Sequence, residues 1–181
     1  VYIDKDGGAA TGLRMLLPGR NAALDADHGW DLALTVEGWN PHLYGVGSHN
    51  GVPVSQANSD WDSQIRLYVD SGKNAIVASL PVELFGEGDP AEWAYAVAVL
   101  GQEGYPSEGV ERVRDVNVTA EQYKFGGAAM DRTHTRIIDL AVPEGASPTQ
   151  ETMLGTYSPS QADPVELQPD AFAIITMFSA Q

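Results

Sequence analysis

The chain contains no cysteine, so disulfides and thiolate metal sites are excluded, while the compartment stays open. Basic residues are scarce: 10 Lys and Arg stand against 25 Asp and Glu, for a formal net charge of −15. A field of that sign repels nucleic acid and anionic membrane and favours cations or neutral ligands. No apolar run approaches the 18 residues of a membrane-spanning helix, and no signal peptide is recognisable. No nucleophile elbow, His-Glu-x-x-His pair or phosphate loop occurs, and the four histidines (His28, His42, His49, His134) lie mostly in expected loops. Paired carboxylates for glycoside hydrolysis cannot be excluded among 25 acids, but nothing in their spacing singles out such a pair.

What is present is a patterned globular chain. Its 181 residues are 43% hydrophobic and 19% charged, enough for one domain with a core. Many of the 19 glycines and 11 prolines fall at the ends of apolar runs, as in a protein of many short strands. Trp30–Trp39 alternates: Trp30, Leu32, Leu34 and Val36 are expected on one face, Asp31, Ala33, Thr35 and Glu37 on the other. Asn50-Gly51 marks one hairpin between HLYGVGS and GVPVSQA, and Ser71-Gly72-Lys73 a second between IRLYVD and NAIVASLP. Asn58–Asp62 reads as a polar loop. Trp93–Leu100 reads as a central strand covered on both sides, and AFAIITMF as a buried final strand. With no long helix, the fold is all-β, an antiparallel β-sandwich spanning 1–181 as a single domain. Val1-Tyr2-Ile3-Asp4 reads as the middle of a strand, so a processed or truncated chain, or further sequence upstream, is expected.

Several pieces occur in a specific order: VYID, LLPGRNA, GWDLALTVEGW, VASLP, LFGEGDPAEWAYAVAVLGQEGY, VRDV, FGG and IIDLAVPEGASPTQETMLGTY. From Val1 to about Tyr157 this order resembles the C-terminal domain of bacterial glucodextranases and of archaeal amylopullulanase-type cell-surface glycosidases. That domain is similar to DOMON domains and to carbohydrate-binding modules of the ninth family. The resemblance implies a DOMON-like sandwich lacking its first strands here. They would come from upstream glycosidase domains or from a partner chain completing the sheet, since an open edge invites aggregation. It also implies a non-catalytic accessory module, extracellular or at the cell surface, that binds polysaccharide: α-glucan or cell-envelope glycan. A structural role for Arg114 and Asp115 as a buried pair is implied by the resemblance alone.

Sugar rings present apolar C–H faces, so a binding site needs flat aromatics beside polar groups. Trp30 and Trp93 sit in apolar alternation and are expected in the core. Trp39 and Trp61 are the ligand candidates, with Tyr44 and Tyr105 behind them, although Trp61 is equally suited to plug the end of the sandwich. Three Asp-x-Asp pairs, Asp4/Asp6, Asp25/Asp27 and Asp60/Asp62, place like charges about 7 Å apart in extended chain. Calcium takes such oxygen ligands, so Asp4, Asp6, Asp60 and Asp62 are candidate ligands, the glycine-flanked first pair foremost. Solvated loop acids explain the same pattern. Two other functions stay open. One is a structural subunit of a surface layer or multi-chain complex. The other is a haem-binding electron-transfer domain of the DOMON kind, drawing on Met15, Met130, Met153 or Met177 with His28, His134 or Lys124, for which packing methionine is the preferred explanation. Asn117-Val118-Thr119 is a glycosylation sequon.

Overall fold

A computed structural model describes residues 1–8, 11–37, 41–50, 52–101, 113–122, 124–127, 131–163 and 166–179, with the backbone alone at Asp115. The elements in order are β1 (Tyr2–Asp4), β2 (Ala22–Leu24), β3 (Leu32–Val36), β4 (Pro41–His49), β5 (Val52–Ala57) and α1 (Ser59–Asp62). They continue with β6 (Arg66–Asp70), β7 (Ala75–Ser79), β8 (Ala94–Ala96), β9 (Ala98–Leu100), β10 (Asp115–Asn117) and β11 (Lys124–Gly126). Last come β12 (Ile137–Leu140), α2 (Gln150–Leu154), β13 (Ala173–Ile175) and β14 (Phe178–Ser179).

The all-β expectation holds. One six-stranded antiparallel sheet runs β14-β8-β1-β3-β4-β5. The opposing layer is not one sheet but short pairs, and two of these, β2–β13 and β10–β11, are parallel. β1 is an interior strand, held between β8 and β3, and the outer strands of the sheet are β14 and β5. Both expected hairpins form. Each has an asparagine in the left-handed region, Asn50 at φ 52° and Asn74 at φ 51°, a conformation asparagine tolerates better than most residues.

Period-two alternation places side chains on the two faces of the sheet. On one face, Tyr2, Ala33, Ala94 and Ala96 meet the main core of Trp30, Leu16, Leu17, Leu24, Ile137, Met153 and Ile175. On the other, Ile3, Leu32 and Trp93 form one cluster and Leu34, Leu43 and Ile65 a second, with Trp61 packed against both. The sheet is therefore covered on both faces, and Trp30 and Trp93 are both buried, as their apolar alternation predicts.

Three segments depart from simple alternation. Trp30 does not share a face with Leu32. The chain bends at Asp31, Trp30 bridges to Leu13, and its ring joins Ala33 in the main core. Val36 is exposed, at the end of β3. Trp93–Leu100 is not one strand: β8 pairs with β1, the chain breaks at Val97, and β9 pairs with β12 in the other layer. The alanines stay against the core while Val97 and Val99 face outward. AFAIITMF divides in the same way, β13 beside β2 and β14 beside β8.

Asn58–Asp62 is a capped helical turn rather than a loop. The Asn58 side chain accepts from the N–H of Asp60, supplying the acceptor an exposed helix start lacks. Among the described residues no helix is long and apolar enough to cross a membrane.

Candidate functional site

The four aromatic ligand candidates do not form one platform among the described residues. Trp39 and Tyr105 lie outside those residues. Trp61 is half-buried, its indole laid against Gly45 of β4, where a Cβ would sit 3.2 Å from the ring. A methyl group there would press on the ring, which would have to shift by a few tenths of an ångström. Tyr44 packs against the main core, on the opposite face of the sheet from Trp61. Two aromatics separated by a sheet cannot stack on one sugar chain.

The most open aromatic among the described residues is one that alternation could have found and tryptophan counting did not. Tyr68 of β6 is 57% exposed. Leu67 and Ala78, paired across the hairpin, face the core. Arg66, Tyr68 and Asp70 share the outer face, opposite Ser79, Val77 and Ala75. The small partners at the two ends leave the phenol ring uncovered. Arg66 is fixed by donating to the carbonyls of Ser63 (2.7 Å) and Ile65 (3.2 Å), and Asp70 accepts from the N–H groups of Gly72 and Lys73, both at 3.1 Å. A flat ring between a guanidinium and a carboxylate can stack on a pyranose face and bond its hydroxyls.

The acidic pairs separate into different roles. Asp62 stands where β5 has ended: its Oδ1 accepts from the N–H of Leu43 and its Oδ2 meets Nδ1 of His42, both at 2.8 Å. Asp60 is exposed and its carbonyl accepts from Ser63 and Gln64. Asp62 thus completes the ladder of β4, and it does not converge with Asp60. Asp25 Oδ1 accepts from the N–H of Asp27 (3.1 Å) and meets His28 Nδ1 (2.8 Å), a local turn.

Asp4 and Asp6 do converge, with a third acid that the sequence alone did not offer. A carboxylate oxygen from each of Asp4, Asp6 and Asp31 lies within 4.8 Å of the others. The bend at Asp31, held by its N–H donating to Ile3 (2.8 Å), is what brings the third carboxylate beside the loop after β1. Asp4 is wholly buried. Burial pushes its carboxyl above the ordinary value of 3.8, and the neighbouring Asp6 adds to that. Asp6 is held below it, chiefly by the Thr11 hydroxyl.

The sign of the resulting pH dependence follows. The folded state holds the Asp4 proton to higher pH than the unfolded chain, so this group's contribution worsens as pH rises above 3.8. Asp6, shifted the other way, acts below that value. In chelator, an Asp4→Asn variant is expected to be more stable than the parent at pH 7, with the gap narrowing as pH falls towards 3.8; thermal melts at pH 7 and pH 4 measure it. A gap that stays the same from pH 7 down to pH 4 would contradict the shift.

The remaining candidates are packed elsewhere. Met153 and Met177 are buried in the main core, and Met153 Sδ accepts from the N–H of Thr176 at 3.2 Å. His28 is paired with Asp25, and the ring of His134 lies 4.9 Å from that of Tyr157. Met130 lies outside the described residues, as does the side chain of Asp115. The guanidinium of Arg114 sits over Phe125 at 5.2 Å. Asn117 of the sequon is buried, its Nδ2 donating to Glu121 at 3.2 Å, so the fold shields that acceptor.

A family model described as the C-terminal binding-module, SLH-like, of glucodextranase matches residues 1–169. No curated protein and no solved structure matches the chain.

Proposed function

Because this chain belongs to the family of C-terminal, SLH-like binding modules of glucodextranase, we propose that it binds polysaccharide without cleaving it. The ligand is a neutral α-glucan or a cell-envelope glycan, bound outside the cell or at its surface, and the module serves a glycosidase to which it is joined. A net charge of −15 disfavours anionic polymers and leaves neutral glucans as the better ligands.

The observation that carries this reading is Tyr68. Leu67 and Ala78 anchor one end of its hairpin through the opposite face, where Val69 and Ile76 further along are exposed too, and the phenol ring is left open on the outer face. An aromatic of this kind in a binding module is the natural stacking surface, with Arg66 and Asp70 as hydroxyl partners on the same face.

Affinity electrophoresis and calorimetry against soluble α-glucans and extracted envelope glycan test it. Tyr68→Ala should weaken binding at least about ten-fold, roughly 1.4 kcal/mol, with an unchanged melting temperature. Retained binding in Tyr68→Ala together with loss in Trp39→Ala or Tyr105→Ala would move the site to those residues. The second reading, an assembly subunit, rests on β5, an outer strand of the sheet that exposes Val52 and Val54. Pro53 between them has no N–H to offer an added strand, which weighs against it. No binding to any glycan, with concentration-dependent sedimentation, would favour assembly.

A further inference from the structure

We propose that Asp4, Asp6 and Asp31 form a divalent-cation site, with calcium the ion that their all-oxygen donor set fits. The observation beyond the cluster itself is an orphaned atom. Asp4 Oδ1 accepts from the N–H groups of Asp6 (3.1 Å) and Gly7 (2.8 Å), but Oδ2 of the same wholly buried carboxyl has no hydrogen-bond partner. A buried carboxylate oxygen left unpaired is costly, and folded proteins nearly always satisfy such atoms.

Three species can satisfy it: a buried water, a proton shared with a neighbouring acid, or a cation. Three features favour the cation. The three carboxylates are crowded together, and no ion pair among the described residues reaches any of them. Most of the other carboxylate oxygens are met by donors, which leaves Asp4 Oδ2 as the unsupplied position. Lys5 N–H donates to Asp31 Oδ2 (2.8 Å), Gly8 N–H to Asp6 Oδ1 (3.2 Å), and the Thr11 hydroxyl to Asp6 Oδ2 and to Asp31 Oδ1 (3.3 Å). The donor set is carboxylate oxygen throughout, which calcium takes readily, whereas a softer metal would need nitrogen or sulfur ligands. Calcium neutralises the crowding and fills the vacant coordination of Asp4 in one step. It would tie the end of β1 to the start of β3, two strands already adjacent in the sheet.

The full chain, stripped of metal and titrated with calcium chloride, tests this by equilibrium dialysis and thermal melting. One calcium per chain is expected, with a dissociation constant on the order of 10⁻⁴ M, and a melting temperature that rises with calcium. Asp31→Asn keeps an acceptor for Lys5 and should fold. It should weaken calcium binding at least ten-fold and lose the calcium-dependent rise. If neither calcium nor magnesium binds at 10 mM in the dialysis and Asp4→Asn melts higher than the parent throughout, the orphaned oxygen carries a shared proton or a buried water and the proposal fails. Unchanged calcium binding in both Asp4→Asn and Asp31→Asn would place the ion elsewhere and overturn it equally.

Discussion

Trp30→Ala should cost about 4 kcal/mol and lower the melting temperature by roughly 10 °C. The side chain is fully buried in the main core. Its ring meets Tyr2 edge-on, with centroids 5.8 Å apart, and its Nε1 donates to the Met15 carbonyl at 2.7 Å. Truncation removes the largest buried side chain of that core, leaves a cavity between the two layers and strands the Met15 carbonyl without its donor. Urea midpoints measure the loss. Trp30→Phe should recover more than half of it, because the ring volume matters more than the single hydrogen bond. A loss below 1 kcal/mol for the alanine variant would mean that the core collapses around the gap, and that the packing described for it is not what stabilises the layers.

Gly29→Ala should be nearly as damaging, about 3 kcal/mol, although the side chain added is a single methyl. An added Cβ would lie 2.2 Å from the Thr11 carbonyl oxygen and 3.2 Å from the Gly12 carbonyl carbon. Both are backbone atoms and cannot swing aside as a side chain would. The two segments would have to part where Leu13 and Trp30 exchange a pair of hydrogen bonds, each 3.0 Å. The displacement falls on Thr11, whose hydroxyl reaches Asp6 and Asp31. The variant should therefore lose calcium affinity along with stability, whereas Trp30→Ala, acting from inside the core, should spare the affinity while the protein stays folded. Equal loss of calcium binding in the two variants would argue against this division.

Much of the fold was legible because strand periodicity and turn chemistry are local. VYID, both hairpins and IIDL are where alternation and the Asn-Gly and Ser-Gly-Lys turns put them. The misplacements share one physical cause. At Val97, and again at Thr176, an apolar run that looks continuous changes partners from one layer to the other, and the pattern of side chains carries no mark of that exchange. The alternation from Trp30 onward failed for a similar reason: a bend at Asp31 resets the phase, and nothing in WDLAL announces it. The acid cluster was half legible. Asp4 and Asp6 are neighbours in sequence, while Asp31 arrives only through the pairing of β1 with β3. Tyr68 was legible in RLYVD, on the polar side of its strand, whereas ring size, which singles out the tryptophans, carries no information on exposure.

The exchange of partners has a mechanical corollary. Ala94–Leu100 and Ala173–Ser179 each run as a single thread through both layers, so neither layer can peel away without dragging the other. A module that hangs between an enzyme and a polymer, as proposed for this one, would bear tension, and these two threads would turn a peel into a shear, in which many bonds must yield together instead of one after another.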